Sequence, residues 1–427
     1  MKFNSTKGQS PSLPVSKAML MGAAPDGGLY VPQKFPSFTP NDFGDANDLP
    51  AIAHTLLSPF FAGDVLADAL KDICAQVFDF PAPLVAMDEN KLALELFHGP
   101  TAAFKDFGAR FLAAAMDRLA NDDHPLTVLV ATSGDTGGAV GCAFAGARAA
   151  KVVILYPKGR VSPFQELQLT CWPGVRALRV DGDFDDCQRL VKAAFADPAL
   201  KERYGLSSAN SINIGRLLPQ MVYYAASSLA IYRQNGQKAN YVIPTGNLGN
   251  GMACLWARAC GLPIGKVVLA QNANRAMVRF FDEGQYAPAP SIATIANAMD
   301  VGNPSNFERF DAGLAALNHD VRALSVDDAT IRAQIRKDAQ ENNHDWCPHS
   351  AVAAYAYDQL GEDEKADPWV IVATAHPYKF REIVEPLVGH DIAPSPALAA
   401  IKDMSMRVQD IPADLNALSG VLADLDA

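Results

Sequence analysis

The sequence predicts an α/β protein built around parallel β-sheets. From residue 92 onward, short runs rich in β-branched residues alternate with alanine-rich stretches, a pattern typical of strand–helix–strand units. One complete unit is expected, with a strand at 126–131, a loop at 132–138, a helix at 139–147 and a strand at 152–156. The same order of strand, loop and helix is expected at 241–243, 245–251 and 252–260, and a further strand at 369–373.

The length of the chain predicts more than one packed unit. Its 427 residues, 49% of them hydrophobic and 19% charged, exceed what a single compact core usually serves. The first ninety residues differ from the rest, because turn-rich sequence with several prolines precedes an apolar stretch at 51–80 with roughly helical spacing. We therefore expect an N-terminal subdomain at 1–90, an α/β domain at 91–205 and a larger α/β domain at 206–427, with a short helical tail from Pro394.

The net charge of the chain argues against polyanionic partners. Lysine and arginine number 36 against 47 aspartates and glutamates, which gives a net charge of -11. Such a chain repels nucleic acids and anionic membranes at long range, so neither is an expected partner. It can still bind a small anion, but only in a local pocket of N–H groups, lysine and arginine.

Several features indicate a cytoplasmic protein. Residues 1–16 contain no apolar segment of the kind found in secretory signal peptides. The longest uncharged stretch, 239–257, contains Pro244, three asparagines and several glycines, so it is unsuited to cross a bilayer as one helix. The seven cysteines are scattered without a C-x-x-C motif, which favours buried reduced thiols over a disulfide framework.

Lys105 is the first candidate for catalysis. It stands at the start of a predicted helix whose apolar stripe includes Phe107, Phe111 and Leu112. The positive end of the helix dipole and an apolar environment both disfavour the charged lysine, which lowers its pKa toward that of a nucleophilic amine able to form a Schiff base. The alternative is a solvated lysine at a loop–helix junction, which is common on protein surfaces.

Two glycine-rich loops, each between a predicted strand and a predicted helix, are candidate anion sites. In the loop at 245–251, N–H groups and a helix N-terminus would converge on a phosphate, although its glycines do not form G-x-G-x-x-G and the chain has no P-loop motif. The loop at 132–138 adds hydroxyl groups, which suit a carboxylate. An ordinary strand–helix turn is the alternative for the first loop, and normal helix capping for the second.

Two cations and one segment with two histidines complete the candidates. Arg216 and Lys379 could each reach the crevice at the strand ends, although isolated surface charges are the alternative. His344, Cys347 and His349 form H-x-x-C-x-H, which lacks a fourth ligand at the usual spacing. We therefore expect no metal site and assign these three residues a structural role.

Together these motifs resemble the threonine synthase family at five places in the same order. The five are His98-Gly99-Pro100-Thr101 with Phe104-Lys105-Asp106, the loop at 133–137, Asn210-Ser211-Ile212-Asn213 with Arg216, the loop at 246–249, and Thr374-Ala375-His376-Pro377 with Lys379-Phe380. The segment 27–32 resembles the N-terminus of the long bacterial and fungal form. The resemblance implies the fold-type II pyridoxal phosphate architecture, similar to tryptophan synthase β, with the cofactor between two α/β domains.

The resemblance also implies the residues that bind pyridoxal 5'-phosphate. Lys105 would hold the cofactor as a Schiff base, and Thr374 would face its pyridine nitrogen. The cofactor's phosphate would lie against Gly246, Asn247, Leu248, Gly249 and Asn250. The substrate carboxylate would be held by Ser133, Gly134 and Thr136. The domain at 91–205 would thus provide the lysine and the carboxylate loop, and the domain at 206–427 the phosphate loop.

Asp135 would also contact the cofactor, and it departs from many relatives. Other fold-type II enzymes have asparagine at this position, in contact with the 3-oxygen of the cofactor. An anionic aspartate would repel an anionic oxygen there. A protonated Asp135 and a bridging water are the two alternatives.

The implied substrate is O-phospho-L-homoserine, whose phosphate needs positive charge or donors around it. The candidates for that role are Thr101, Asn213, Arg216 and Lys379. The implied reaction removes protons from Cα and Cβ through Lys105, eliminates phosphate, adds water at Cβ and releases L-threonine, the last step of threonine biosynthesis.

Two other functions remain open at this point. A serine or threonine dehydratase-like enzyme on the same fold would not need Arg216 and Lys379 beside the reactive end of the substrate. A catalytically silent binding protein should lack either the lysine or the phosphate loop, and this chain has both.

Overall fold

The computed structural model describes residues 1–119, 126–147 and 150–425. The strands are, in chain order, β1 (Lys2–Ser5), β2 (Leu13–Pro14), β3 (Tyr30–Pro32), β4 (Leu84–Ala86), β5 (Lys91–Glu95), β6 (Leu126–Ala131), β7 (Ala150–Pro157), β8 (Val175–Asp181), β9 (Leu206–Ser208), β10 (Ala239–Pro244), β11 (Ile264–Gln271), β12 (Val321–Ser325), β13 (Trp369–Ala373) and β14 (Val408–Pro412). The α-helices are α1 (Val15–Met21), α2 (Leu49–Phe61), α3 (Leu70–Val77), α4 (Lys105–Arg118), α5 (Asp135–Phe144), α6 (Pro163–Thr170), α7 (Phe184–Ala196), α8 (Pro198–Tyr204), α9 (Ile214–Leu217), α10 (Met221–Asn235), α11 (Gly249–Ala259), α12 (Ala276–Glu283), α13 (Phe307–Ala312), α14 (Leu314–Leu317), α15 (Asp328–Glu341), α16 (Pro348–Asp358), α17 (Glu362–Lys365), α18 (Arg381–Val388), α19 (Pro396–Ile401) and α20 (Leu415–Asp424).

In the described residues the strands form three sheets. β2, β1 and β3 make a small antiparallel sheet near the N-terminus. A six-stranded sheet has the order β12-β11-β10-β13-β5-β4, in which β4 and β5 are antiparallel and the other neighbours parallel. A five-stranded sheet has the order β14-β8-β7-β6-β9, and its neighbouring strands are all parallel.

The central parallel strands β6 and β7 are largely apolar because both of their faces are covered. In β6 and β7 nearly every position is buried, as expected for a sheet packed between helices. The strands predicted at 126–131 and 369–373 have the observed bounds. Those predicted at 152–156 and 241–243 begin two residues earlier and end one residue later. The prediction of parallel α/β layering is therefore confirmed.

Two helices begin earlier than predicted, within glycine-rich sequence. α5 begins at Asp135 instead of 139, and α11 begins at Gly249 instead of 252. The chain reverses just before α5 at Gly134, whose φ is 140°. Inside the helix, a Cβ added at Gly137 would lie 2.4 Å from a side-chain atom of Leu169. This glycine therefore permits close helix packing, whereas the prediction took the run of glycines for a loop.

Four strands pair with strands that lie across a predicted domain boundary. β4 falls in the predicted subdomain 1–90 but pairs with β5 in the six-stranded sheet. β5 falls in the predicted domain 91–205 but pairs with β13 in the six-stranded sheet. β9 and β14 fall in 206–427 but pair with β6 and β8 in the five-stranded sheet. Boundaries at 90 and 205 thus do not separate the sheets. We propose instead that each domain is built around one of the two large sheets. β14 also interrupts the tail predicted to be helical; four of its five residues are exposed, so it lacks an apolar pattern.

The topology gathers the predicted loops at one place. Loops that follow β6, β9, β10 and β13 lie at the carboxyl ends of parallel strands, where ligands of open α/β sheets bind. All seven cysteines are free, and all but Cys142 are buried, which agrees with the predicted reduced thiols. Among the described helices, none combines the length and apolar character needed to span a membrane.

Candidate active site

A cavity of about 180 Å³ is lined by the loops that follow β6, β9, β10 and β13 and by the start of α4. The predicted site residues that line it are Lys105, Ser133, Asp135, Thr136, Arg216, Gly246, Asn247, Leu248, Gly249, Asn250 and Thr374. The predicted site residues absent from its lining are Thr101, Gly134, Asn213 and Lys379. The fold therefore brings loops from both large sheets to one cavity.

Lys105 is the first residue of α4 and is fixed against the loop that follows β13. The Phe104 N–H donates to the Thr374 carbonyl oxygen at 2.9 Å, and an isolated bridge pairs Ala103 with Ala375. The Lys105 ammonium lies 4.6 Å from the centre of the Phe104 ring. These contacts fix the position of Lys105 relative to Thr374.

The surroundings of Lys105 favour its neutral amine. The pKa of Lys105 is lowered from 10.5 to about 8, chiefly by burial; Asp135 acts in the opposite direction, and the charges of Lys379 and Arg216 act with burial. About a tenth of the amine is therefore unprotonated at pH 7, far more than for a lysine with the ordinary pKa. This is the property that the sequence analysis expected of a Schiff-base lysine.

Thr101 supports the segment that leads into α4. Its N–H and its hydroxyl donate to the two carboxylate oxygens of Asp106 at 2.9 and 2.6 Å. Both residues are fully buried. Thr101 therefore holds the turn before Lys105 and does not face the cavity.

The loop that follows β10 forms an uncapped helix start. Leu248 has the left-handed conformation, with φ 62°, and α11 begins at the next residue without any side-chain cap. The first N–H groups of a helix have no partner within the helix, so they remain free for an anion. The loop also packs tightly, because a Cβ added at Gly246 would lie 2.7 Å from the Met299 Cα.

Asn250 adds a side-chain donor to this helix start. Its Oδ1 accepts hydrogen bonds from the hydroxyls of Tyr223 at 2.6 Å and Tyr224 at 2.8 Å. Its buried Nδ2 finds no partner within the part of the chain that the structure describes. The two tyrosines thus orient the amide, and the Nδ2 donor is available to a ligand in the cavity.

Arg216 is a buried cation on the cavity wall. Its side chain donates to the Ala209 carbonyl, whereas its Nε has no partner among the described residues. Burial lowers its pKa to about 10. The close approach of α4 to this residue requires Gly108, where an added Cβ would lie 2.7 Å from the Arg216 carbonyl oxygen.

The amide of Asn213 is fully occupied by backbone groups. Its Nδ2 donates to the carbonyls of Met19 at 2.8 Å and Ser208 at 2.7 Å, and its Oδ1 accepts from the Gly215 N–H at 2.9 Å. The residue is completely buried. Asn213 therefore shapes the loop before Arg216 and contributes no free donor to the cavity.

Two neighbouring residues that the prediction did not select line the cavity. Asn210 and Ser211 follow β9, and Ser211 Oγ accepts a hydrogen bond from Asn247 Nδ2 at 2.6 Å. Asn247 Oδ1 in turn accepts from the Ser305 N–H at 2.6 Å. The signal that would have found them is their place after a strand, but β9 has only three residues and was not predicted.

Asp135 and Lys379 form a buried ion pair. Lys379 Nζ lies 2.8 Å from Asp135 Oδ1, and Gln165 Nε2 donates to the same oxygen at 3.1 Å. Burial alone would raise the pKa of Asp135, but the charges of Lys379 and Lys105 outweigh it and hold the pKa well below its ordinary value. Asp135 is therefore ionised, and Lys379 is committed to it and to the Thr101 carbonyl at 3.1 Å.

The loop at 132–134 is organised by a threonine hydroxyl. Thr132 Oγ1 accepts from the N–H groups of Gly134 at 3.0 Å and Gly137 at 2.9 Å. The Gly134 donor is thereby used within the loop. Ser133 and Thr136 line the cavity, so they remain the candidates of this loop for an anionic ligand.

His349 lines the cavity although its sequence context indicated a structural role. Its Nε2 accepts the Ala298 N–H at 3.0 Å, while its Nδ1 is buried with no partner among residues 1–119, 126–147 and 150–425. Burial lowers its pKa to about 4. Cys347 instead caps α16, accepting the Ser350 N–H at 3.4 Å, so the H-x-x-C-x-H pattern does not act as a unit.

The chemistry of the cavity fits pyridoxal phosphate. An aldehyde reacts with a neutral amine, which the lowered pKa of Lys105 makes accessible, and a phosphate requires several donors, which the start of α11 and Asn250 Nδ2 offer. Unpartnered buried donors cost free energy, so they indicate a polar ligand.

Family sequence models agree with this assignment. The model "Pyridoxal-phosphate dependent enzyme" matches residues 81–375, "Threonine synthase N terminus" matches 2–78 and "Threonine synthase, C-terminal" matches 350–421. Fold and site thus define a pyridoxal-phosphate-dependent enzyme of fold type II, which confirms the predicted fold class and cofactor.

Relatives narrow the class further. The chain is 38% identical over 426 residues to threonine synthase of Escherichia coli (strain K12), covering 98% of each chain. It superposes on the crystal structure of threonine synthase from Escherichia coli with a TM-score of 0.92 and 36% identity, covering 99% of this chain and 100% of that one. It superposes on the PLP-bound threonine synthase from Brucella melitensis with a TM-score of 0.90 and 33% identity, covering 100% of this chain and 99% of that one. The chain belongs to the threonine synthase family.

Proposed function

We propose that this chain converts O-phospho-L-homoserine and water into L-threonine and phosphate, with pyridoxal phosphate held covalently by Lys105. The observation that most strongly supports this is one cavity that combines a lysine whose pKa is lowered to about 8, an uncapped helix start and a buried arginine without an ion-pair partner in the described chain. When bound, pyridoxal phosphate delocalises the electron pair left on carbon after proton removal.

Lys105 is proposed to bind the cofactor and to move protons. Its Nζ takes the proton from the substrate Cα and then from Cβ. The Cγ–O bond breaks with its electron pair leaving on phosphate, and Cγ gains a proton to become a methyl group. Water supplies the hydroxyl at Cβ and its other proton to the released phosphate, and Lys105 returns a proton to Cα. A lysine with a pKa of about 8 suits this role, because it accepts and returns protons near neutral pH.

The cofactor's phosphate is assigned to the loop that follows β10. The N–H groups of Gly246, Asn247, Leu248, Gly249 and Asn250 surround it, and Asn250 Nδ2 adds a side-chain donor. Thr374 is assigned to the pyridine nitrogen as a neutral partner. Two hydrogen bonds fix its backbone: its carbonyl accepts the Phe104 N–H, and its N–H donates to the Ser350 hydroxyl at 3.0 Å.

The substrate is assigned to the opposite loops. Ser133 and Thr136 hold its carboxylate at the start of α5, and Thr132 keeps Gly134 in place. Arg216 on the cavity wall receives the substrate phosphate through its guanidinium group, with Asn210 and Ser211 beside it. The sequence predicted three further residues at this phosphate, and we propose positioning roles for them instead. Thr101 positions Asp106, Asn213 positions the loop before Arg216, and Lys379 positions Asp135.

An excess of buried cations supports the binding of two phosphates. Lys379, Arg216 and Arg309 are buried and Lys105 is half-buried beside the cavity; of these four, only Lys379 is paired with a carboxylate among the described residues. Arg309 donates to the carbonyls of Tyr30 at 3.0 Å and Ile212 at 2.6 Å, directly behind the substrate loop. The negative charge of the chain, -11 in total, is therefore proposed to lie outside the cleft.

The experiment that tests this function compares substrates. We expect the reconstituted enzyme to release threonine and phosphate in equal amounts from O-phospho-L-homoserine, and to deaminate serine and threonine poorly. If the phosphorylated substrate is inert while serine is deaminated, the dehydratase-like alternative is correct.

We further propose a small-molecule substrate as the main partner and the cytoplasm as the compartment. The acidic surface disfavours nucleic acid and anionic membranes, and seven free cysteines suit a reducing compartment. Fractionating cells that express the protein fused to a reporter, and measuring which fraction contains the reporter, would test the compartment.

A further inference from the structure

His349 presents a buried hydrogen-bond donor for which the described chain provides no acceptor. It is the second residue of α16, it is 3% exposed, and it lines the cavity. Its ring packs on Phe380, with the ring centres 4.8 Å apart, so its orientation is fixed. None of the roles proposed above uses this side chain.

The hydrogen bond with Ala298 determines which ring nitrogen has the proton. A backbone N–H can only donate, so Nε2 of His349 must accept at 3.0 Å with its lone pair. The ring is then neutral and its single proton is on Nδ1. A pKa near 4, lowered by burial and by the charges of Lys105 and Lys379, agrees with a neutral ring.

The position of His349 indicates what its Nδ1–H meets. His349 lines the same cavity as Asp135 and Lys105, and the charges of these two residues and of Lys379 act on its ring. On the ring of pyridoxal phosphate, the 3-oxygen is on the carbon next to the aldehyde that reacts with a lysine. Asp135 stands at the position that contacts this oxygen in other fold-type II enzymes, so a donor that lines the cavity together with Asp135 and Lys105 is placed on the 3-oxygen side of the aldehyde. Asp135, as an ionised carboxylate, has no hydrogen to donate there.

We infer that His349 is a further cofactor-binding residue, whose Nδ1–H donates to the 3-oxygen of pyridoxal phosphate. This inference rests on the proposed cofactor site. It resolves the repulsion expected from Asp135, because Lys379 balances the aspartate and His349 supplies the missing hydrogen. Neither the protonated Asp135 nor the bridging water considered from the sequence is then required.

Two substitutions separate the donor from the structural role of the ring. In His349→Gln, the side-chain oxygen can still accept the Ala298 N–H, but no donor remains at the Nδ1 position. In His349→Asn, the amide places an N–H near the Nδ1 position, but the acceptor for Ala298 is lost. The measurement is the visible absorption of the bound cofactor as a function of pH in the full-length enzyme.

The group that titrates is the lysine nitrogen bound to the cofactor, which lies next to the 3-oxygen. When this nitrogen loses its proton, the 3-oxygen keeps its full negative charge, and a donor then stabilises it most. Loss of the donor should therefore raise the pH at the midpoint of the titration. We expect His349→Gln to raise it by about one unit, a tenfold change in proton affinity, and His349→Asn to stay within about 0.3 units of the unmodified enzyme. A midpoint that is unchanged in His349→Gln but shifted in His349→Asn overturns the inference. Absence of any visible band in the unmodified enzyme would instead refute the proposed cofactor site.

If circular dichroism shows that a variant does not fold, a measurement on the unmodified protein tests the inference instead. In nitrogen-labelled histidine spectra, the Nδ1–H signal of His349, assigned through its contact with the Phe380 ring, should move downfield when pyridoxal phosphate is added. A signal that does not move on cofactor addition overturns the inference.

Discussion

Nζ of Lys379 lies 2.8 Å from Oδ1 of Asp135, and both side chains are almost completely withdrawn from solvent. Lys379 follows β13 of the six-stranded sheet, and Asp135 begins α5 after β6 of the five-stranded sheet. The ion pair therefore joins segments of the two large sheets at the wall of the active site. It places a carboxylate beside the cavity without adding a net charge.

Replacing Lys379 by methionine should destabilise the protein. Removal of one partner leaves Asp135 buried and unpaired, which typically costs about 3–5 kcal/mol. Urea unfolding of the apoprotein measures the loss. Lys379→Met combined with Asp135→Asn should recover a large part of it, because the uncompensated charge is gone. Equal stability of Lys379→Met and the unmodified chain would show that the pair is not stabilising in this way.

Lys105→Ala should abolish covalent capture of the cofactor. The side-chain amine is the atom that forms the bond, so the visible absorption band of the reconstituted enzyme should disappear. Lys201→Ala, at an exposed lysine in the last turn of α8, is the matched control and should keep the band. A band that persists in Lys105→Ala would assign the cofactor to another lysine.

The pH dependence of cofactor capture should report the lowered pKa of Lys105. In the folded chain this pKa is about 8, below its ordinary 10.5, because burial disfavours the charged form. The apoprotein therefore loses stability from this group at low pH and regains it as the pH rises from about 8 to 10.5. The rate of capture should rise with pH with a midpoint near 8. A midpoint near 10.5 would mean that the amine is solvated.

Arg216→Met should weaken binding of the phosphorylated substrate. A hydrogen bond to a charged group contributes roughly 1.5–3 kcal/mol, so KM should rise about 10-fold to 100-fold. The absorption of the bound cofactor should stay unchanged. Arg233→Met is the control, since this exposed arginine also donates only to backbone carbonyls among the described residues. If KM is unchanged, Arg216 does not contact the substrate phosphate.

The parts of the site that could be predicted from the sequence are those set by local patterns. Lys105 at a helix start, the glycine-rich loop after β10 and Thr374 after β13 depend on strand–loop–helix order, which hydrophobic periodicity reveals. The four predicted strands, which correspond to β6, β7, β10 and β13, were found for the same reason. Among the strands that were not predicted, β9 is very short and β14 is mostly exposed.

The remaining parts depend on pairings between distant segments. Lys379 was expected at the substrate phosphate, but its partner Asp135 lies more than two hundred residues earlier in the chain. Asn213 and His349 have no local feature that shows whether their side-chain atoms meet backbone groups or a cavity. Only the assembled sheets determine which donors stay free.

The most direct test of the proposed reaction follows the oxygen atom of water. Elimination of phosphate at Cγ followed by hydration at Cβ predicts that, in heavy-oxygen water, the label appears in the hydroxyl of threonine and none enters the released phosphate. Label in the phosphate, with homoserine as the other product, would show hydrolysis of the phosphate ester and would contradict the account.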